Sequence, residues 1–173
     1  IVFGYIGRIM IEKGIKELIN SFLSLNVDNI HLLLVGSIEN ESRKNLPNDI
    51  IKKIETTRNI HLTGWVNNVP DYLAAIDILT HPTYHEGMPN AILQASAMNL
   101  PCITTNVRGN IDAVINNETG IVYEAHNHRQ LKDAMLLLKK DKSLRQRYGI
   151  NGRKFVEKVF DRKIVNSNLI KFY

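Results

Sequence analysis

The stretch Ile78-Leu79-Thr80-His81-Pro82-Thr83-Tyr84-His85-Glu86-Gly87-Met88-Pro89-Asn90-Ala91-Ile92-Leu93-Gln94-Ala95 passes through three kinds of sequence in succession. A short apolar run, residues 78–81, reads as a strand. A turn carrying Gly87 and Pro89 follows. Helix-forming residues begin at once, with proline suited to the first helical turn. The same order of strand, turn and helix recurs along the chain, which is the signature of an α/β fold with a parallel sheet. The other apolar runs, at residues 1–7, 30–36, 60–63, 102–105 and 120–122, are mostly continuous rather than alternating. Strands buried on both faces by helices have that pattern. Helices are expected over residues 14–25, 49–56, 70–76, 89–98, 110–115, 128–139, 142–159 and 161–173, with a long surface loop over 38–48. In the first of these helices, Ile15, Leu18, Ile19, Phe22 and Leu23 share one face. The expected architecture is a doubly wound, Rossmann-like parallel sheet flanked by helices.

Bulk properties narrow the function classes. A chain of 173 residues suffices for one domain with its own core. No run approaches the roughly 18 apolar residues that cross a bilayer. The net charge is +5, with Lys and Arg spread along the sequence. A nucleic-acid stripe would be denser and interleaved with aromatic residues, so no nucleic-acid partner is expected. A small anionic substrate or a membrane surface fits the balance better. The single cysteine, Cys102, excludes an internal disulfide and reads as a buried small hydrophobe. The chain opens on Ile1 in a strand-like run, and a fragment of a longer protein is expected.

Doubly wound sheets bind ligands at the carboxyl ends of their strands, and two segments fall there. In the first, Gly7-Arg8-Ile9-Met10-Ile11-Glu12-Lys13-Gly14, glycine at a strand end admits close approach of a ligand. Arg8 and Lys13 are donor-only cations that suit a diphosphate; a solvated basic loop is the plainer reading. In the second, Glu86 precedes a helix start whose free N–H groups, at Met88, Asn90 and Ala91, face a ligand beside a carboxylate. Such a pairing suits a sugar hydroxyl next to a phosphate, although Glu86 as a simple helix-terminus carboxylate would also satisfy the pattern. Gln94 lies one helical turn beyond Asn90 and can both donate to and accept from a ribose diol. Trp65 and Tyr84 read as packing rather than base-stacking residues, although Trp65 lies close to the expected base pocket; His85 reads as a partly exposed loop histidine, and His81 as core or rim.

These segments resemble family 4 retaining glycosyltransferases. Gly7-Arg8 with Glu12-Lys13-Gly14 is similar to that family's phosphate-binding segment, and residues 81–97 to its donor-binding signature. Leu62-Thr63-Gly64-Trp65-Val66, Ala74-Ala75-Ile76-Asp77-Ile78 and Asn116-Asn117-Glu118-Thr119-Gly120-Ile121-Val122 are similar to three further segments, so the likeness runs through nearly the whole chain in order. It implies the C-terminal, donor-binding half of a two-domain GT-B enzyme, which moves sugar from a nucleotide diphosphate to a polysaccharide or lipid-linked acceptor. Arg8 and Lys13 would hold the diphosphate and Glu86 the sugar hydroxyls. Backbone groups of Gly87, Met88, Asn90 and Ala91 would meet sugar and phosphate, and Val66 the base. No metal or other cofactor is implied. The missing N-terminal half would supply the acceptor site, leaving the isolated piece inactive. The implied place is the cytoplasm, with membrane contact through the whole protein.

The sequence departs from that family at two points. The second glutamate of the Glu-x7-Glu signature is Gln94 here, which keeps an acceptor oxygen for ribose but loses the charge. A later family glutamate is matched by Asp112. A non-catalytic nucleotide- or anion-binding domain, favoured by Gln94, and a nucleotide-sugar epimerase of similar fold are the alternatives.

Overall fold

The computed structural model describes residues 1–38 and 46–172. Six strands form one sheet: β1 (Val2–Ile6), β2 (His31–Val35), β3 (Ile60–Leu62), β4 (Ile78–His81), β5 (Cys102–Thr105) and β6 (Gly120–Tyr123). Their order is β3-β2-β1-β4-β5-β6, and every pair is parallel. The chain therefore winds outward from β1 in one direction and from β4 in the other. At such a reversal the loops leaving the two central strands diverge and open a crevice above the carboxyl edge of the sheet.

Helices α1 (Ile15–Ser24), α2 (Asn48–Thr56), α3 (Val69–Ala74), α4 (Asn90–Ala97), α5 (Asn110–Ala113), α6 (His128–Lys140), α7 (Lys142–Val159) and α8 (Arg162–Phe172) fill the connections and the carboxyl-terminal region. The sheet's side chains alternate between two cores. Phe3, Tyr5, Leu32, Leu34, Ile78 and Ile103 meet α1, α2 and α6, where Ile15, Leu18, Ile19 and Phe22 are buried at helical spacing. Ile6, Val35, Leu79 and Cys102 meet Leu73, Ile76, Ile92 and Ala113 on the other side. Burial pushes the Cys102 thiol up to about 12, so it is a neutral core side chain.

The differences from expectation lie at element ends. The helix expected over 110–115 stops at Ala113, because Val114 turns to extended backbone. Residues 75–76 lie beyond the end of α3, and α4 starts at Asn90 with Pro89 as its cap. Gly14 does not begin α1 but caps it in left-handed backbone, after a 3-10 turn over Ile11–Lys13 that the sequence pattern did not indicate. Most of the loop expected over 38–48 lies outside the described residues, and Asn48 already belongs to α2.

Phe22 is 1% exposed and meets Phe3 edge-on with ring centroids 6.3 Å apart. Phe22→Ala is expected to lower unfolding free energy by about 3–5 kcal/mol in urea denaturation; a loss below about 1 kcal/mol would refute tight packing between α1 and β1.

Candidate functional site

The loops leaving β1 and β4 meet above the sheet. Lys13, at the end of the 3-10 turn, places Nζ 2.8 Å from Oε2 of Glu86. His81, the last residue of β4, places Nε2 3.3 Å from the same oxygen. An ionised carboxylate only accepts, so in this contact Nε2 is assigned as the donor. Around this cluster lies a cavity of ≈ 340 Å³ whose walls include Gly7, Arg8, Lys13, His81, Glu86, Met88, Asn90, Ala91 and Gln94. A second cavity of ≈ 370 Å³ shares Ile6, Gly7 and Arg8 with it and continues toward β2 and β3, past Gly36, Trp65 and Val66. The two form one crevice over the point where the sheet order reverses.

Local structure fixes the Glu86 loop from both sides. On one side Gly14 adopts φ 69, and a Cβ there would lie 2.1 Å from the carbonyl oxygen of Pro82. On the other side Gly109 adopts φ 82, and its Cβ would lie 2.5 Å from the Gly87 carbonyl oxygen and 2.6 Å from that of Glu86. Only glycine combines that backbone with that approach. Beneath the loop, Asn110 Nδ2 donates to Thr105 Oγ1 at 3.0 Å, and Thr105 Oγ1 donates to the Thr83 carbonyl. Thr83 Oγ1 in turn donates to the His85 carbonyl at 3.0 Å. The end of β5 and the start of α5 thus hold the backbone immediately before Glu86.

The structure brings Arg8, Lys13, Glu86, Gly7, Met88, Asn90, Ala91 and Gln94 to one cavity and Val66 to its neighbour. Gly87 sits between the lining residues Glu86 and Met88, with its carbonyl oxygen close to Gly109. Two expectations need correction. The Asn90 N–H is not open to a ligand, because it donates to the Met88 carbonyl at 3.0 Å as the loop tightens into α4; among the described residues no such bond engages the N–H of Met88 or Ala91. Trp65 is not a packing residue but is 73% exposed at the crevice wall. Asp112 is exposed on the single turn of α5 and lines neither cavity, whereas Tyr84 packs its ring on His126 with centroids 3.9 Å apart. Sequence reasoning missed His81 and Tyr5 as site residues. Tyr5 donates to the Arg8 carbonyl at 2.8 Å and its ring stacks on His81. Both residues sit at the carboxyl ends of the two central strands, a position that could have singled them out.

Electrostatics follow from this geometry. The hydrogen bond from His81, aided by Lys13 and opposed by partial burial, lowers the Glu86 carboxyl from 4.5 to about 2. Burial, then the Glu86 charge, pushes the Tyr5 phenol far above its usual range, so it remains a neutral donor. Among the described residues no group of three or more His, Cys, Asp or Glu is placed to hold a metal, and no helix is long and apolar enough to cross a membrane.

Because the folded-state value of Glu86 is depressed, its charge stabilises the fold above about pH 4.5, and that contribution is lost as pH falls toward 2. Glu86→Gln is therefore expected to melt below the wild type at neutral pH, with the gap closing as pH drops from 4.5 to 2.5. A gap independent of pH in thermal melts would contradict the ion-pair assignment.

Known proteins share this architecture. The family model for "Glycosyl transferases group 1" matches residues 1–155. The capsular polysaccharide biosynthesis glycosyltransferase CapM of Staphylococcus aureus is 36% identical in an alignment 174 positions long, which covers 99% of this chain and 45% of that protein. HepE of Anabaena, solved in complex with UDP and glucose, superposes with a TM-score of 0.91 at 18% identity, covering 99% of this chain and 47% of that one. The C-terminal domain of a glycosyl transferase group 1 family protein (LpcC) from Francisella tularensis superposes with a TM-score of 0.83 at 21% identity, covering 93% of this chain and 86% of that one. At those identities the two superpositions speak for the fold. The chain spans less than half the length of the curated relatives it matches.

Proposed function

The chain belongs to the glycosyl transferases group 1 family, and on that premise we propose that it is the C-terminal, nucleotide-sugar-binding domain of a retaining, family 4 type glycosyltransferase that builds a polysaccharide or lipid-linked glycan. The observation that carries this reading is the convergence of Arg8, Lys13 and Glu86 on one cavity above the sheet's reversal point. The relation to CapM supports a glycan product, and the complex of HepE with UDP and glucose supports a nucleotide-sugar donor. The match to the C-terminal domain from Francisella tularensis supports the domain assignment, with an N-terminal acceptor domain completing the enzyme.

Each residue then has a role. The base lies against Val66 and the exposed Trp65 face. The ribose meets Gln94, whose carbonyl accepts from a hydroxyl without the charge of a glutamate. The diphosphate lies between Arg8 and Lys13, beside the open N–H groups of Met88 and Ala91 at the start of α4. Lys13 carries three N–H donors; two are directed at Glu86 and, at 3.5 Å, the His85 carbonyl, which leaves one for phosphate. Glu86 accepts from hydroxyls of the transferred sugar. As the sugar leaves, negative charge develops on the diphosphate, and fixed cations stabilise it without reorganisation. The reading assigns that charge to Arg8 and Lys13, with no metal. Whole-enzyme contact with a membrane would bring the domain to a lipid-linked acceptor. Gln94 keeps a second reading in view, a binding domain of the same fold without transfer.

The test is titration of the chain with UDP- and GDP-hexoses, beside Arg8→Ala, and product analysis with the full-length protein. Arg8→Ala is expected to weaken binding roughly 10- to 100-fold, as for loss of a hydrogen bond to a charged group, about 1.5–3 kcal/mol. Transfer is expected from the full-length protein and not from the chain alone. Absence of nucleotide-sugar binding would refute the donor site, and binding without transfer by the full-length protein would favour the second reading.

A further inference from the structure

Three features outside the roles assigned above invite a function. One is the basic groove between α1 and α6, lined by His128, Arg129 and Lys132. A second is the exposed pair of His31 and His61 on neighbouring strands, with ring nitrogens 3.1 Å apart. The groove holds surface cations, and the pair offers only two ligands to a metal. The third, His81, is built into the site itself.

The His81 side chain is 5% exposed, and its ring lies parallel to that of Tyr5, at an interplanar angle of 11° and a centroid separation of 5.9 Å. Its backbone carbonyl accepts from Thr104 Oγ1 at 2.8 Å. The ring therefore stacks on Tyr5 of β1, while Thr104 of β5 anchors the His81 backbone. Among the described residues its one side-chain hydrogen bond is to Glu86, and Nδ1 is buried with no partner. A purely structural residue here would be apolar, because an orphaned buried nitrogen is destabilising. The imidazole carries that cost and makes the Glu86 bond.

The two bonds to Glu86 both end on Oε2, while neither Lys13 nor His81 bonds to Oε1. They differ in what they fix. The Lys13 ammonium is a point charge on a flexible stem and neutralises without imposing direction. The His81 ring is rigid and wedged, so its Nε2–H defines where Oε2 sits and hence how the carboxylate plane is turned. We propose that His81 is a positioning residue that orients the Glu86 carboxylate so that Oε1 is presented to a hydroxyl of the donor sugar. This role rests on the donor-site reading and adds to it a side chain that discriminates sugar nucleotide from bare nucleotide. Tyr5, through its bond to the Arg8 carbonyl, links the same stack to the diphosphate side of the cavity.

The test compares wild type, His81→Phe and His81→Gln by calorimetric titration with UDP-glucose, UDP-galactose, UDP-N-acetylglucosamine and GDP-mannose, and with UDP and GDP alone. His81→Phe keeps the ring and loses the donor; His81→Gln returns an N–H near the position of Nε2. The expected result is that His81→Phe weakens sugar-nucleotide binding roughly 10-fold, as for loss of a hydrogen bond to a charged group. Binding of the bare diphosphate should change less than about 2-fold, and His81→Gln should restore most of the loss. Equal effects on sugar nucleotide and diphosphate, no effect, or no rescue by Gln would overturn the role while leaving the donor site standing. Failure of the wild type to bind any of the six would overturn both. Should His81→Phe not fold, the nitrogen-15 shifts of the wild-type His81 ring decide. A proton on Nε2 supports the role, and a bare Nε2 overturns it.

Discussion

One contact, the 2.8 Å pair between Lys13 Nζ and Glu86 Oε2, joins residues separated by most of the first half of the chain. It is possible only because β1 and β4 are neighbours in the sheet although two strands intervene in sequence. The two loops leave adjacent strands at the place where winding reverses, so no connection crosses between them and a crevice remains. The ion pair spans that crevice at its base. Its groups are 19% and 17% exposed, well short of the solvation that makes surface pairs weak. Removing either partner would strand a partly desolvated charge, which is the costly half of such a pair.

The backbone around the pair is arranged to keep it in register. Gly14 and Gly109 contribute no side chain, and the Glu86 loop passes between them at a distance no other residue permits. Beneath it, Asn110, Thr105 and Thr83 form a hydrogen-bonded ladder from the start of α5 to the loop. Rigid strands thus position a short loop, and the loop positions one carboxylate. That carboxylate is an anion in a cavity whose other charged wall residues, Arg8 and Lys13, are cations. On the donor-site proposal, a diphosphate entering there meets positive charge from one loop, open N–H groups from a helix start and an acceptor for sugar hydroxyls beside both.

Much of this is legible in the sequence. Mostly continuous apolar runs mark the six strands, as expected of strands covered on both faces. The meeting of the Arg8 and Glu86 segments followed from strand-then-loop order and from the family likeness. What escaped the sequence were contacts between residues far apart in it. His81 reads as an ordinary strand end until Tyr5 is seen beneath it and Glu86 beside it. The loss of the Asn90 N–H to the Met88 carbonyl is a matter of turn geometry within three residues, which Gly and Pro signal only as a turn. Trp65 is exposed just after Gly64, which bridges to Gly36, a pairing between loops far apart in the sequence. The close approach of Gly109 to the Gly87 carbonyl explains why glycine stands there.

The most direct measurement is a crystal structure of the chain with a bound UDP- or GDP-hexose. The account predicts the diphosphate within hydrogen-bonding distance of Arg8 and Lys13, the hexose hydroxyls on Glu86, and the base beside Val66. A ligand seated elsewhere on the sheet, or a hexose turned away from Glu86, would contradict it.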